Sequence, residues 1–270
     1  MSEPADVSDP GRAGDNSERR SVAVALGLGV LGPLLALVGA VVVALADAAL
    51  GLPLAVTLAL GLILGQYVAF AGLALAYLRR RGLDWGEVRD YLGVEVPSLG
   101  ELGLVLGGWV TIFVLIIVAG IVVQLLGLQP AQNQTSETAM QNPGIILPLI
   151  AAMFLVVGPC EEILYRGVVQ GRLRESLSAV PSILIASGIF AVVHVMALTG
   201  GAGARLTTIA LLFIPSLVLG AIYEYTENLV VSALLHAIHN SVLLGLIYIV
   251  VRFADELPTE AQAALASLPF

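Results

Sequence analysis

Seven apolar runs, most of them longer than the ~20 residues a helix needs to cross a bilayer, leave this chain little choice of medium. They extend from about Ser21 to Ala46, Pro53 to Leu78, Leu102 to Leu128 and Gly144 to Arg174, and then over about 179–198, 205–224 and 228–252. A lipid interior offers no water to backbone N–H and C=O groups, so runs of this kind cross it as helices. The expected fold is therefore all-α: a polytopic transmembrane bundle of seven spans, or eight if a re-entrant element joins them. Composition agrees, because 58% of the 270 residues are hydrophobic and 12% charged, where a soluble domain carries about a quarter charged. One transmembrane domain over 21–252 is expected, with a disordered cytoplasmic tail at 1–20 and an acidic tail at 253–270. Residues 82–101 mix Trp85, Glu87, Arg89, Asp90 and Tyr91 with apolar positions, which predicts an amphipathic segment at the headgroup level.

Charge orients the bundle. All twelve basic residues are arginine and the formal net charge is −8, a balance that argues against nucleic acid as a partner. Arg12, Arg19, Arg20, the Arg79–Arg81 triplet, Arg172 and Arg174 all fall on one side of a seven-span bundle. The loop at 129–143 has no basic residue and carries Asn133-Gln134-Thr135, which fits a glycosylation sequon. The positive-inside rule then places the N-terminus in the cytoplasm of a cell-membrane protein. Cys160, the single cysteine, excludes an intramolecular disulfide and reads as a small hydrophobe in an apolar helix.

The informative residues are the charges inside the spans. An ionised carboxylate in a bilayer costs at least ~2.5 kcal/mol on insertion scales, yet the fourth span contains Gly158-Pro-Cys-Glu-Glu-Ile-Leu-Tyr-Arg166. Arg166 shares a helical face with Glu162, four residues before it, and can offset that charge. Glu161 is turned roughly 100° away and has no local partner. Pro159 predicts a kink, since it removes a backbone donor, and a span this long is tilted, kinked or projecting.

All three histidines lie in later spans: His194 in the fifth, His236 and His239 in the seventh. Counted at ~1.5 Å per residue from the arginine-rich ends, Glu161, His194 and His236 lie roughly 18, 21 and 12 Å deep, compatible with one buried layer. His236 shares a face with Asn240, which favours it over His239 as the functional histidine. Such a set suits hydrolysis. Glu161 can take a proton from water, and the histidines can orient that water, donate to the leaving amine or bind a metal. Asn240 and a histidine N–H can donate to a developing oxyanion.

The pattern Glu161-Glu162-x-x-x-Arg166, Phe190-x-x-x-His194 and His236-x-x-x-Asn240 resembles the CPBP family. These are the CAAX-processing and bacteriocin-processing intramembrane endopeptidases, also called Abi, which include the Rce1-type prenyl proteases. The similarity extends to Gly220-x-x-Tyr223-x-x-Thr226-x-Asn228-Leu229 and covers about residues 144–247. It implies Glu161 as the base, Glu162 and Arg166 as its supporting pair, His194 and His236 completing the site, Asn240 at the oxyanion and Phe190 lining the cavity. A divalent metal such as zinc, if one is bound, would take Glu161, His194 and His236 as ligands. The spacing His-Glu-x-x-His of soluble zinc proteases is absent, which favours the metal-free version. The implied partners are membrane lipids and a peptide or protein substrate, prenylated or leader-bearing.

Two other classes fit the same buried charges. A proton-coupled transporter uses Glu, His and Arg as a relay, although the first half shows no repeat of the Glu-Glu stretch. A non-catalytic scaffold or immunity protein would keep the residues for binding alone.

Overall fold

The computed structural model describes residues 10–253 and Pro258; the first nine positions and the rest of the acidic tail lie outside the described residues. Among the described residues, seven helices are long and apolar enough to cross a membrane. The protein is an integral membrane helix bundle. The first, α1, runs Pro10–Leu50, beginning ahead of the apolar run. It is followed by α2 (Leu54–Arg80) and a short helix α3 (Trp85–Leu92). Then come α4 (Leu99–Leu125), a short α5 (Gln134–Gln141) and α6 (Pro143–Arg174). The last three are α7 (Ala179–Ala197), α8 (Ala202–Thr226) and α9 (Leu229–Phe253). Two-residue strands β1 (Gln132–Asn133) and β2 (Leu198–Thr199) pair antiparallel, Gln132 opposite Thr199. They join the α4–α6 connection to the end of α7.

The interior has an unusual driving force, because lipid tails are as apolar as leucine and close van der Waals contact must hold helices together. Small residues mark the crossings. A side chain on Gly29 would strike Ile189, one on Gly32 would strike Leu164, and one on Gly39 would strike Leu64. One buried cluster joins α1, α2, α3, α6 and α7, and another joins α4, α8 and α9. Helix α6 also packs its first turns on α9. It thus runs through the middle of the bundle.

Two helices contain turns wider than the regular α form. The turns of α6 widen over 153–157 and 163–170, and those of α2 over 63–72. Widened turns of this type are often found at functional sites. Pro159 has no N–H for the carbonyl of Leu155, four residues earlier. The Tyr67 hydroxyl of α2 donates to that carbonyl at 3.1 Å. This satisfies a group that could find no water in the membrane interior.

Next to the proline, Gly158 lets α9 approach α6. A Cβ there would lie 2.9 Å from the Met153 carbonyl oxygen and 3.0 Å from that of Ala233. Both are backbone atoms and cannot swing aside. Gly158→Ala is therefore expected to destabilise the bundle by about 1–3 kcal/mol through overpacking, read as a lower thermal midpoint in detergent. An unchanged midpoint would mean that the α6–α9 crossing is loose.

The segment at 82–101 does more than lie at a membrane surface. Asp84 and Glu87 form a capping box that starts α3, and the helix buries Val88 and Leu92. Leu92 fills the space left by Gly167 of α6, where a Cβ would overlap its side chain. Gly93 then turns in the left-handed region (φ 63°) so closely under the α8–α9 turn that a Cβ would overlap the Glu227 carbonyl. Its own carbonyl accepts from the Leu229 N–H at 2.9 Å. A second capping box, Ser98 with Glu101, starts α4 at Leu99, three residues before the apolar run. In the sequon-like triplet, Asn133 accepts from the Thr135 N–H at 2.8 Å and caps α5.

Candidate active site

The polar residues inside the bundle converge on α6. Glu162 is fully buried (0% exposed), as is Arg166. Arg166 Nε donates to Glu162 Oε2 at 3.2 Å, the contact expected from their i,i+4 spacing. Arg166 Nη2 also donates to Ser216 Oγ of α8 at 3.1 Å. Ser187 of α7 donates to the Ser216 carbonyl at 3.0 Å, so one layer of hydrogen bonds ties α6, α7 and α8. Nη1 of Arg166 is buried without a hydrogen-bond partner among the described residues. The guanidinium instead lies over the Phe190 ring, 5.1 Å from its centroid, a cation–π contact that partly replaces hydration.

His236 links the two glutamates. Its Nδ1 lies 3.0 Å from Glu162 Oε1, and its Nε2 lies 3.8 Å from Glu161 Oε2. A carboxylate paired with arginine can only accept, so Nδ1 carries the proton and donates it to Glu162. In the neutral ring, Nε2 is then a bare acceptor facing a second acceptor on Glu161. At 3.8 Å the two do not bond directly, and a water molecule lying to one side of the pair would be within hydrogen-bond reach of both. Glu161 keeps 8% of its surface exposed, whereas Glu162 is sealed at 0%.

Phe190 organises the histidines. Its ring centroid lies 4.5 Å from that of His194 and 5.8 Å from that of His236, and Tyr165 of α6 packs edge-on against it at 5.0 Å. His194 sits at the C-terminal end of α7, half-buried, with Nδ1 donating to the Phe190 carbonyl at 2.6 Å. That bond fixes the tautomer and leaves Nε2 for other partners. Glu161, Glu162, Arg166, Phe190, His194 and His236 thus belong to one connected cluster across α6, α7 and α9.

Asn240 is not bonded to that cluster. It lies one turn beyond His236 on α9, half-buried, with its amide Nδ2 3.8 Å from Met153 Sδ, a weak acceptor. His239 is buried on α9, and the histidine bonded to Glu162 is His236. Among the described residues, no three His, Cys, Asp or Glu side chains come together as a metal-binding group. Nδ1 of His194 and of His236 is engaged with the protein, which leaves Nε2 as the ring nitrogen that either histidine can offer to another group.

The sequence reading missed Gln66. This residue of α2 donates from Nε2 to Glu161 Oε1 at 3.0 Å. It is the lone amide in the second apolar run, and a polar side chain in such a run is a signal in itself.

The motif around Gly220 to Leu229 supplies support. Gln170, fully buried, donates to the Gly220 carbonyl at 3.0 Å and to Glu224 at 3.3 Å, and a Cβ on Gly220 would press on its Oε1 at 3.0 Å. Tyr223 donates to the Leu92 carbonyl. The Asn228 side chain accepts from the Val230 N–H at 3.0 Å and donates to Glu101 at 3.2 Å. Together these fix where α9 starts and hence the height of His236. At the arginine-rich end, Arg81 and Arg172 both meet Glu175, and Arg174 pairs with Glu224 at 2.8 Å. These pairs are partly exposed and contribute at most about 1 kcal/mol each.

Residues 143–242 match the family model described as Rce1-like, the type II CAAX prenyl endopeptidase Rce1-like family. No curated protein and no solved structure matches the chain.

Proposed function

We propose that this chain, whose residues 143–242 match the Rce1-like family model, is an intramembrane endopeptidase in which Glu161 activates water for peptide-bond hydrolysis. The observation that carries this reading is His236 placed between two carboxylates of unequal burial. Glu162, neutralised by Arg166, holds the ring through Nδ1. Glu161 shares a water molecule with Nε2 and takes its proton. The resulting hydroxide adds to the scissile carbonyl carbon. The oxyanion that forms takes a hydrogen bond from the Asn240 amide, which leaves only a weak contact with Met153 behind, and His194, held through Nδ1, accepts at Nε2 from the scissile peptide N–H and orients it. Glu161 returns the proton to the departing amine, so that one water is consumed for each bond cut.

The substrate class that goes with the family is a prenylated C-terminal tail; a leader peptide or membrane protein requires the same chemistry. Cell-membrane residence, with the N-terminus and the arginine-rich end in the cytoplasm, completes the proposal.

The test is cleavage in liposomes of a mixed library of prenylated and unprenylated peptides. Wild type is expected to release product, and Glu161→Ala, His194→Ala and His236→Ala are expected to lose it. If all three process substrate like wild type, the protease reading fails. Proton-linked flux without a peptide product would assign a relay instead. No step above passes through a metal, and a chelator is therefore expected to leave turnover unchanged. Loss of turnover on chelation, restored by zinc, would place a metal on Glu161, His194 and His236.

A further inference from the structure

The geometry points to Gln66 as a positioning residue of this site, a role that rests on the hydrolase reading and lies outside the matched segment 143–242. An ionised carboxylate accepts only, so chemistry requires the amide nitrogen of Gln66, not its oxygen, to face Glu161. The resulting bond, Nε2 to Oε1 at 3.0 Å, occupies one oxygen of Glu161 and turns the other, Oε2, toward His236 Nε2. Without this donor the carboxylate is free to rotate about its terminal torsion, and the oxygen shared with His236 is no longer fixed.

Two further observations show that the contact is built in. Gln66 lies in the widened turns of α2, and its neighbour Tyr67 is anchored to the Leu155 carbonyl that Pro159 leaves free. The register of Gln66 against Glu161 is therefore set by a bond one residue away. Moreover, Gln66 Oε1 is buried with no hydrogen-bond partner among the described residues. A side chain present only to fill space would not keep an open acceptor inside the bundle, and an apolar residue would serve that purpose better.

The experiment compares Gln66→Met, which keeps the length without the donor, with Gln66→Ala, in full-length protein in liposomes against the same peptide library. Both variants are expected to lose about 10- to 100-fold in kcat, the scale of a hydrogen bond to a charged group, with KM within about threefold of wild type. If Gln66 merely packs, Gln66→Met turns over like wild type and only Gln66→Ala is impaired, and the proposal is overturned. A second readout needs no activity: unfolding of Gln66→Met, Glu161→Ala and the double variant in detergent. The effects are expected to be non-additive by about fivefold or more in the unfolding constant; additivity overturns the proposal. If wild type itself yields no product, the hydrolase reading falls and this cycle alone decides the link. Gln66→Leu serves both readouts should the methionine variant fail to accumulate.

Discussion

Arg166→Met is expected to destabilise the bundle by about 3–5 kcal/mol, because it strands a buried charge. Glu162 is fully buried and leans on Arg166 for charge balance, with the His236 N–H among its other partners. The same substitution releases the Ser216 hydroxyl and empties the face of the Phe190 ring. The effect should appear as a fall of about 10 °C in the thermal midpoint in detergent. Two outcomes are informative. Glu162→Gln combined with Arg166→Met removes both charges together and is expected to be more stable than Arg166→Met alone, since a neutral pair needs no compensation. If the double variant is the less stable of the two, the arginine acts through packing and not through charge.

Glu161→Gln is expected to lower kcat by about 10²–10⁴, the contribution of a positioned general base, while the thermal midpoint moves little. The neighbours of Glu161 are the Gln66 amide and the far nitrogen of His236. Neither is a fixed cation, so removing this charge strands nothing. Adjacent residues thus respond in opposite ways: Glu162→Gln disturbs an ion pair and costs stability, and Glu161→Gln removes a reactant and costs turnover. Measuring midpoint and rate on both variants separates the roles. Equal losses of rate and stability from the two would show that the carboxylates act as a structural pair and would remove the base from the mechanism.

The parts of this molecule legible in sequence are those set by local spacing or by the bilayer. Apolar runs reveal spans because the hydrocarbon thickness fixes their length, and the Glu162–Arg166 pair follows from helical periodicity. The shared layer of Glu161, His194 and His236 follows from counting residues along spans of known direction. What could not be read depends on which helices become neighbours. Gln66 is 95 residues from Glu161 in the chain, and nothing local to either residue links them. Likewise α3 has the composition of a surface helix, but the absence of side chains at Gly167 and Gly171 gives it a seat on α6. Asn240 shows the reverse: its face on α9 was clear from spacing, but its contact with Met153 was not.

The bond between Tyr67 and the Leu155 carbonyl bears on how portable the site is. The segment 143–242 looks like a module, with both glutamates, the arginine, the histidines and Asn240 within it. Transplanted into another membrane scaffold, it would arrive with an open carbonyl before Pro159 and with Glu161 unsecured. Chimeras that exchange this segment should therefore regain function only when residues 63–72 travel with it. A chain severed between α3 and α4 should work when its two pieces are expressed together and fail when either is supplied alone.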